Sequence, residues 1–140
     1  MELQQIMTSP AISVEPEESA AVAARTLERY NIGAVPVCGP DGKLRGMLTD
    51  RDLVIRCIAS GMDPEKTQVK QIMTSQVVSA APGMDTAVAA HLMGRKKVRR
   101  LPVVDNGILK GMVSLGDISQ VEENAYDAGD ALGEISSNMP

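Results

Sequence analysis

Phenylalanine and tryptophan are absent and tyrosine occurs only twice. The core must therefore be aliphatic, with the nine methionines filling irregular gaps. Histidine occurs once, which removes most His-based catalysis. No Ser/His/Asp, Cys/His or paired-carboxylate arrangement offers a catalytic centre. His91, Cys38 and Cys57 do not have metal-ligand spacing, and His91 is expected on a helix surface. Two cysteines make no disulfide scaffold. They read as buried small hydrophobes in a reducing cytoplasm, with redox sensing the lesser reading. Positive charge is in deficit, 14 Lys and Arg against 18 Asp and Glu, which argues against generic nucleic-acid binding. The longest apolar runs fall far short of a membrane span, and the N-terminus lacks a signal-peptide layout.

What the chain does have is a repeat. Ile6-Met7-Thr8-Ser9 returns as Ile72-Met73-Thr74-Ser75, Pro16 as Pro82, and Ala21-Val22-Ala23-Ala24 as Ala87-Val88-Ala89-Ala90. Pro36-Val37 returns as Pro102-Val103 and Gly46-Met47 as Gly111-Met112, one residue having been dropped in the loop near Pro40. Each copy closes on a matched phrase, Gly46-Met47-Leu48-Thr49-Asp50-Arg51-Asp52 and Gly111-Met112-Val113-Ser114-Leu115-Gly116-Asp117. A duplicated unit of this size predicts two modules about a pseudo-twofold interface, with two related clefts.

Each copy reads strand, helix, strand, turn, strand, helix. Short extended segments over 11–14 and 77–80 lead through a proline into helices over about 18–30 and 85–96. Both helices are rich in Ala and Val, so a neighbour can approach their backbones closely. Strands over 32–38 and 98–104 each contain a proline, the mark of a strand edge or bulge. Asp41-Gly42 and Asn106-Gly107 are hairpin turns, followed by strands over 44–48 and 109–113. Closing helices begin after Thr49 and Ser114. Gly61-Met62-Asp63-Pro64 ends the first closing helix and begins the link to the second copy, and an acidic, Ala-rich tail predicts one more helix from about Glu122, fraying by Ser136. The fold class is α/β, of α+β type, with small mixed sheets and no dinucleotide-binding fingerprint.

In this order and spacing, the Ile-Met-Thr start, the proline before the first helix, the Leu/Val-Pro-Val strand and the Gly-x-x-Thr/Ser-x-x-Asp phrase resemble a tandem pair of CBS (cystathionine-β-synthase) domains. The resemblance covers roughly residues 3 to 120 and implies two βαββα repeats in one Bateman module. The domains are then 1–60 and 72–121, with a linker over 61–71 and the tail over 122–140. No segment is left over for an attached enzyme, channel or transporter. The family resemblance also implies a disk-like homodimer, with Ala20–Ala24 and Ala87–Ala90 as candidate faces, and an effector protein of unknown identity. It implies clefts for AMP, ADP, ATP or other adenosyl ligands, a regulatory ligand rather than an obligatory cofactor.

Residue by residue, the resemblance gives one cleft Asp117 for the ribose diol, which a carboxylate can accept at both hydroxyls, and Ser114 for ribose or phosphate. Thr8, Ser13, Ile32 and Met112 face the adenine, and Arg99 and Arg100 bind phosphate. Strand alternation predicts that those two arginines point to opposite faces. The mirror cleft uses Asp52, Thr49, Met47, Thr74, Ser79 and Val98. There Gly33 and Ala34 replace the arginines, and Arg51, whose counterpart is Gly116, is the compensating cation. Thr49-x-x-Asp52 and Ser114-x-x-Asp117 equally fit helix N-caps. The basic run over 95–100 fits a solvated helix end or, with no aromatic stacking residues beside it, a weak nucleic-acid contact.

Overall fold

The computed structural model describes residues 1–121 and 125–137. The chain divides into two compact units, Ile12–Val77 and Met1–Ala11 with Val78–Pro140. The units therefore cut across the sequence repeat: the first eleven residues pack with the second copy.

In the 12–77 unit, α1 (Ala20–Tyr30) starts where Ser19 Oγ accepts the Val22 N–H and ends in left-handed Asn31. Asn tolerates that conformation because its short polar side chain can bond locally. The strands β1 (Ala34–Cys38) and β2 (Leu44–Thr49) form an antiparallel pair with a bulge after Val37, next to the strand proline. The pair becomes a small mixed sheet through Val14, whose N–H donates to Pro36 O at 3.0 Å and whose carbonyl accepts Cys38 N–H at 2.9 Å. The expected strand over 11–14 is thus a single parallel bridge. The closing helix is a short α2 (Asp50–Asp52) that widens into a π-helical segment, Leu53–Ile58. The stretch over 61–72 then folds back: Thr67 O accepts from Ala20 N and Glu18 O from Val69 N, and α3 (Val69–Ile72) follows. Val35, Val37, Leu48, Val69, Ile72 and Cys57 fill the core.

In the other unit, α4 (Thr86–Lys96) is capped by Asp85 and ends in left-handed Lys97. The strands β3 (Arg100–Asp105) and β4 (Ile108–Ser114) pair antiparallel, again with a bulge after Val103. Ala80 bridges to Val103 as Val14 does to Val37. The β3–β4 turn carries positive φ at both Asn106 (52°) and Gly107 (82°), the primed turn expected of Asn-Gly. A short helix, α5 (Leu115–Ser119), and a longer one, α6 (Ala125–Ser136), complete the unit. The expected start of the tail helix near Glu122 lies outside the described residues. Residues 1–5 do for α4 what 64–69 do for α1: Met1 O accepts from Thr86 N, and Leu3 N donates to Met84 O.

The core of this unit is Leu3, Met93, Leu101, Val103, Val113 and Ile118, sealed on one side by Ala128, Ala131 and Ile135 of α6. The alanines of α4 admit a close neighbour, as their small size predicts, and that neighbour is α6. A Cβ on Gly94 would lie 2.9 Å from Ala131 Cα. Ala89 and Ala90 are fully buried.

Both cysteines are buried and free of disulfides. Burial pushes the Cys38 thiol up from its ordinary value, an effect that a side-chain hydrogen bond with Ser13 partly opposes. Among the described residues, no helix is long and apolar enough to cross a membrane.

Candidate functional site

The duplicated phrases explain each other in three dimensions. Thr8 pairs with Met112, N–H to carbonyl in both directions at 2.8 and 3.0 Å, and Thr74 pairs with Met47 in the same way at 2.9 and 2.9 Å. The Ile-Met-Thr start of each copy therefore lies along the Gly-Met strand of the other. Glycine precedes each methionine for a steric reason. A Cβ on Gly111 would lie 2.7 Å from Thr8 O, and one on Gly46 would lie 2.5 Å from Thr74 O. This pairing brings Thr8 to the strand that ends in Ser114.

At the end of β4, Ser114 leaves extended backbone and caps α5. Its Oγ accepts Asp117 N–H at 3.0 Å, and Asp117 Oδ2 accepts Ser114 N–H at 3.0 Å. Thr49 and Asp52 build the same reciprocal box, also at 3.0 and 3.0 Å. The capping reading of these motifs is thus satisfied in this state, and the same hydroxyls and carboxylates are the groups assigned to ligand. Ser114→Ala should cost about 1 kcal/mol of stability, as loss of a cap does, and Ser114→Thr close to nothing. Urea unfolding of the two variants measures this directly; equal midpoints for wild type and Ser114→Ala would show that the hydroxyl does not act as a cap.

Arg99 is tied to the same corner through its carbonyl, which accepts Leu115 N–H at 2.8 Å. It sits at a bend one residue before β3 begins. Both arginines border a single concavity. That concavity has a volume of about 510 Å³ and is lined by Arg99, Arg100, Ser114, Leu115, Gly116, Ser119, Ala128, Gly129 and Leu132. Among the described residues, no acidic side chain lines it. Its size falls within the roughly 300–1,000 Å³ typical of small-molecule sites. Asp117 lies beside it, bonded to Ser114, and is not part of its lining.

Of the residues expected around this ligand, Thr8, Met112, Ser114, Asp117, Arg99 and Arg100 belong to one compact unit, whereas Ser13 and Ile32 belong to the other. For the mirror set, Met47, Thr49, Arg51, Asp52 and Thr74 belong to the 12–77 unit, and Ser79 and Val98 do not. The mirror corner repeats the geometry with different chemistry. Asp50 N donates to Gly33 O at 2.9 Å, the counterpart of the Leu115–Arg99 bond. Asp50 Oδ2 would lie 3.3 Å from a Cβ on Gly33. An acid thus stands where the other corner has Leu115, next to a glycine where the other has Arg99.

Sequence reasoning missed Asp50, along with Leu115, Ser119, Ala128, Gly129 and Leu132. Asp50 was legible as the odd member of the Thr49–Asp52 and Ser114–Asp117 match. The α6 residues were not, because α6 has no counterpart in the repeat. His91, half-exposed on α4, bonds Asp127 Oδ1 through Nε2 at 2.7 Å. Among the described residues, no group of three or more His, Cys, Asp or Glu could hold a metal ion.

Comparison with known proteins gives the same outline. The CBS domain family model matches residues 3–58 and 69–124. The CBS domain-containing protein YhcV of Bacillus subtilis is 39% identical over 134 residues, 96% of this chain and 94% of that one. Hypoxic response protein 1 of Mycobacterium tuberculosis is 32% identical over 84% of this chain and 82% of that one. A crystal structure of hypoxic response protein I with two coordinated zinc ions superimposes with a TM-score of 0.80 at 31% identity, covering 86% of this chain and 98% of that one. The CBS domain pair of protein MJ0100, solved in complex with 5′-methylthioadenosine and S-adenosyl-L-methionine, gives a TM-score of 0.77 at 27% identity. It covers 89% of this chain and 98% of that one.

Proposed function

Since the chain belongs to the CBS domain family, as a tandem pair of CBS domains, we propose that it is a non-enzymatic sensor of adenine nucleotides. The observation that carries this reading is that Arg99, Arg100 and Ser114 line one concavity, with no acidic residue among the described lining residues, beside Asp117. On binding, the phosphates of AMP, ADP or ATP take the two guanidinium groups and the Ser114 hydroxyl. The Asp117 carboxylate exchanges its capping bond for the ribose diol. Thr8 and Met112 are the adenine-facing positions of this unit. A relative that binds adenosyl compounds supports the ligand class. The match over nearly all of YhcV supports a regulatory protein without a catalytic domain.

The corner at Thr49, Asp52, Met47 and Thr74 suits an adenosyl ligand without phosphate, because Asp50 repels an anion and Arg51 offsets it only in part. Occupancy becomes a signal only if the nucleotide binds two arrangements of the protein with different affinity. The receiver is an effector protein, and a second copy of this chain the companion. Val54, Ile55 and Ile58, each half-exposed or more on the π-helical segment, support a protein contact there.

The test is thermal unfolding with AMP, ADP, ATP, NADH and S-adenosylmethionine, for wild type, Asp117→Ala and Asp52→Ala. A ligand at about 100 times its Kd adds about 2.7 kcal/mol, a shift of several degrees at this length. The expected result is a shift with a nucleotide in wild type that disappears in Asp117→Ala. No shift with any of the five would favour a protein-interaction module whose Thr49, Asp52, Ser114 and Asp117 serve only as caps.

A further inference from the structure

Three of the residues lining the concavity, Ala128, Gly129 and Leu132, come from α6, which lies outside the duplicated frame. We infer that α6 is the wall that sets the length of phosphate chain the Arg99–Arg100 site admits, and that Gly129 is its specificity-determining position. The inference rests on the nucleotide reading above and adds to it the element that limits the ligand.

Two observations support it. First, α6 is firmly seated. Ala128, Ala131 and Ile135 are buried, Gly94 lets Ala131 approach α4 closely, and Lys97 Nζ donates to Glu134 O at 2.9 Å. Asp127 bonds His91, which holds that carboxylate on the α4 side, and neither Asp130 nor Glu134 lines the concavity.

Second, Gly129 faces open space. A Cβ built there meets no atom of the described residues within 4 Å, so their packing does not require a glycine. Glycine inside a helix is unfavourable relative to alanine by about 1 kcal/mol. At this position the missing side chain leaves room beside the two arginines. Gly133, one turn later on the same helix, also has no atom of the described residues within 4 Å but does not border the concavity. It serves as an internal control.

The experiment compares wild type, Gly129→Leu and Gly133→Leu by titration calorimetry with AMP, ADP, ATP and inorganic tripolyphosphate. Both substitutions replace a poor helix former with a good one, and thermal unfolding checks that α6 stays docked. Gly129→Leu should weaken ATP and tripolyphosphate by about tenfold or more, the scale of one charge-assisted hydrogen bond lost. AMP should hold within about twofold, and Gly133→Leu should match wild type throughout. Equal affinities for ATP in wild type and Gly129→Leu would overturn the wall while leaving the nucleotide reading in place. If wild type binds no nucleotide but binds tripolyphosphate, and Gly129→Leu abolishes that, the nucleotide reading fails and the wall stands. Binding of none of the four ligands by wild type would overturn both.

Discussion

Gly46→Ala and Gly111→Ala are each expected to lower stability by about 1–3 kcal/mol, the usual cost of an extra methyl group in a filled site, with Gly46→Ala the more severe. At Gly46 the new Cβ would lie 2.5 Å from Thr74 O and 2.9 Å from Met73 Sδ; at Gly111 it would lie 2.7 Å from Thr8 O and 2.8 Å from Met7 Sδ. A methionine side chain can move aside. The carbonyls cannot, because each accepts a hydrogen bond from the methionine after the glycine, Met47 or Met112. Relief therefore requires the Ile-Met-Thr segment to lift from its strand. For Gly111 this also displaces Thr8, so nucleotide affinity falls together with stability. Urea unfolding gives the first effect and titration of the folded variant the second. A midpoint unchanged in both variants would mean that the segments do not lie against these strands in solution.

The second large effect concerns the arginines. Arg99→Ala and Arg100→Ala should each weaken a nucleotide by about 1.5–3 kcal/mol, as hydrogen bonds to charged groups do, or roughly 10–150-fold. Both side chains are exposed, and Arg99 holds α5 through its backbone carbonyl, which alanine retains. Stability should therefore stay within about 0.5 kcal/mol of wild type. Arg51→Ala, in the mirror corner, should leave phosphate binding at Arg99 and Arg100 unchanged. Affinity measured at two salt concentrations separates the charge contribution, because screening acts on exposed charges. If Arg99→Ala and Arg100→Ala bind ATP as wild type does, the phosphates do not lie in this concavity.

Much of this was readable along the chain because it is local. The Asn106-Gly107 turn, the prolines beside bulges and the Thr49–Asp52 and Ser114–Asp117 boxes each involve residues a few positions apart. The repeat also identified the right phrases, Ile-Met-Thr and Gly-Met, but not that each start docks on the other copy's strand. That pairing joins Thr8 to Met112, and no local periodicity encodes such a distance. Alternation applies to Arg100 but not to Arg99, because the strand begins only at Arg100 and the backbone is still turning at Arg99. The role of α6 was illegible for a different reason: the small-residue face of α4 called for a close neighbour without naming it.

The most direct measurement is calorimetric titration of the intact chain with ATP, AMP and S-adenosylmethionine, beside Asp117→Ala and the Arg99→Ala/Arg100→Ala double variant. Wild type should bind a phosphorylated adenosine saturably. The Asp117 variant should lose most of that affinity, and the double arginine variant should lose affinity for ATP but not for S-adenosylmethionine. Absence of binding by wild type, or binding that all these substitutions leave untouched, would contradict the nucleotide reading.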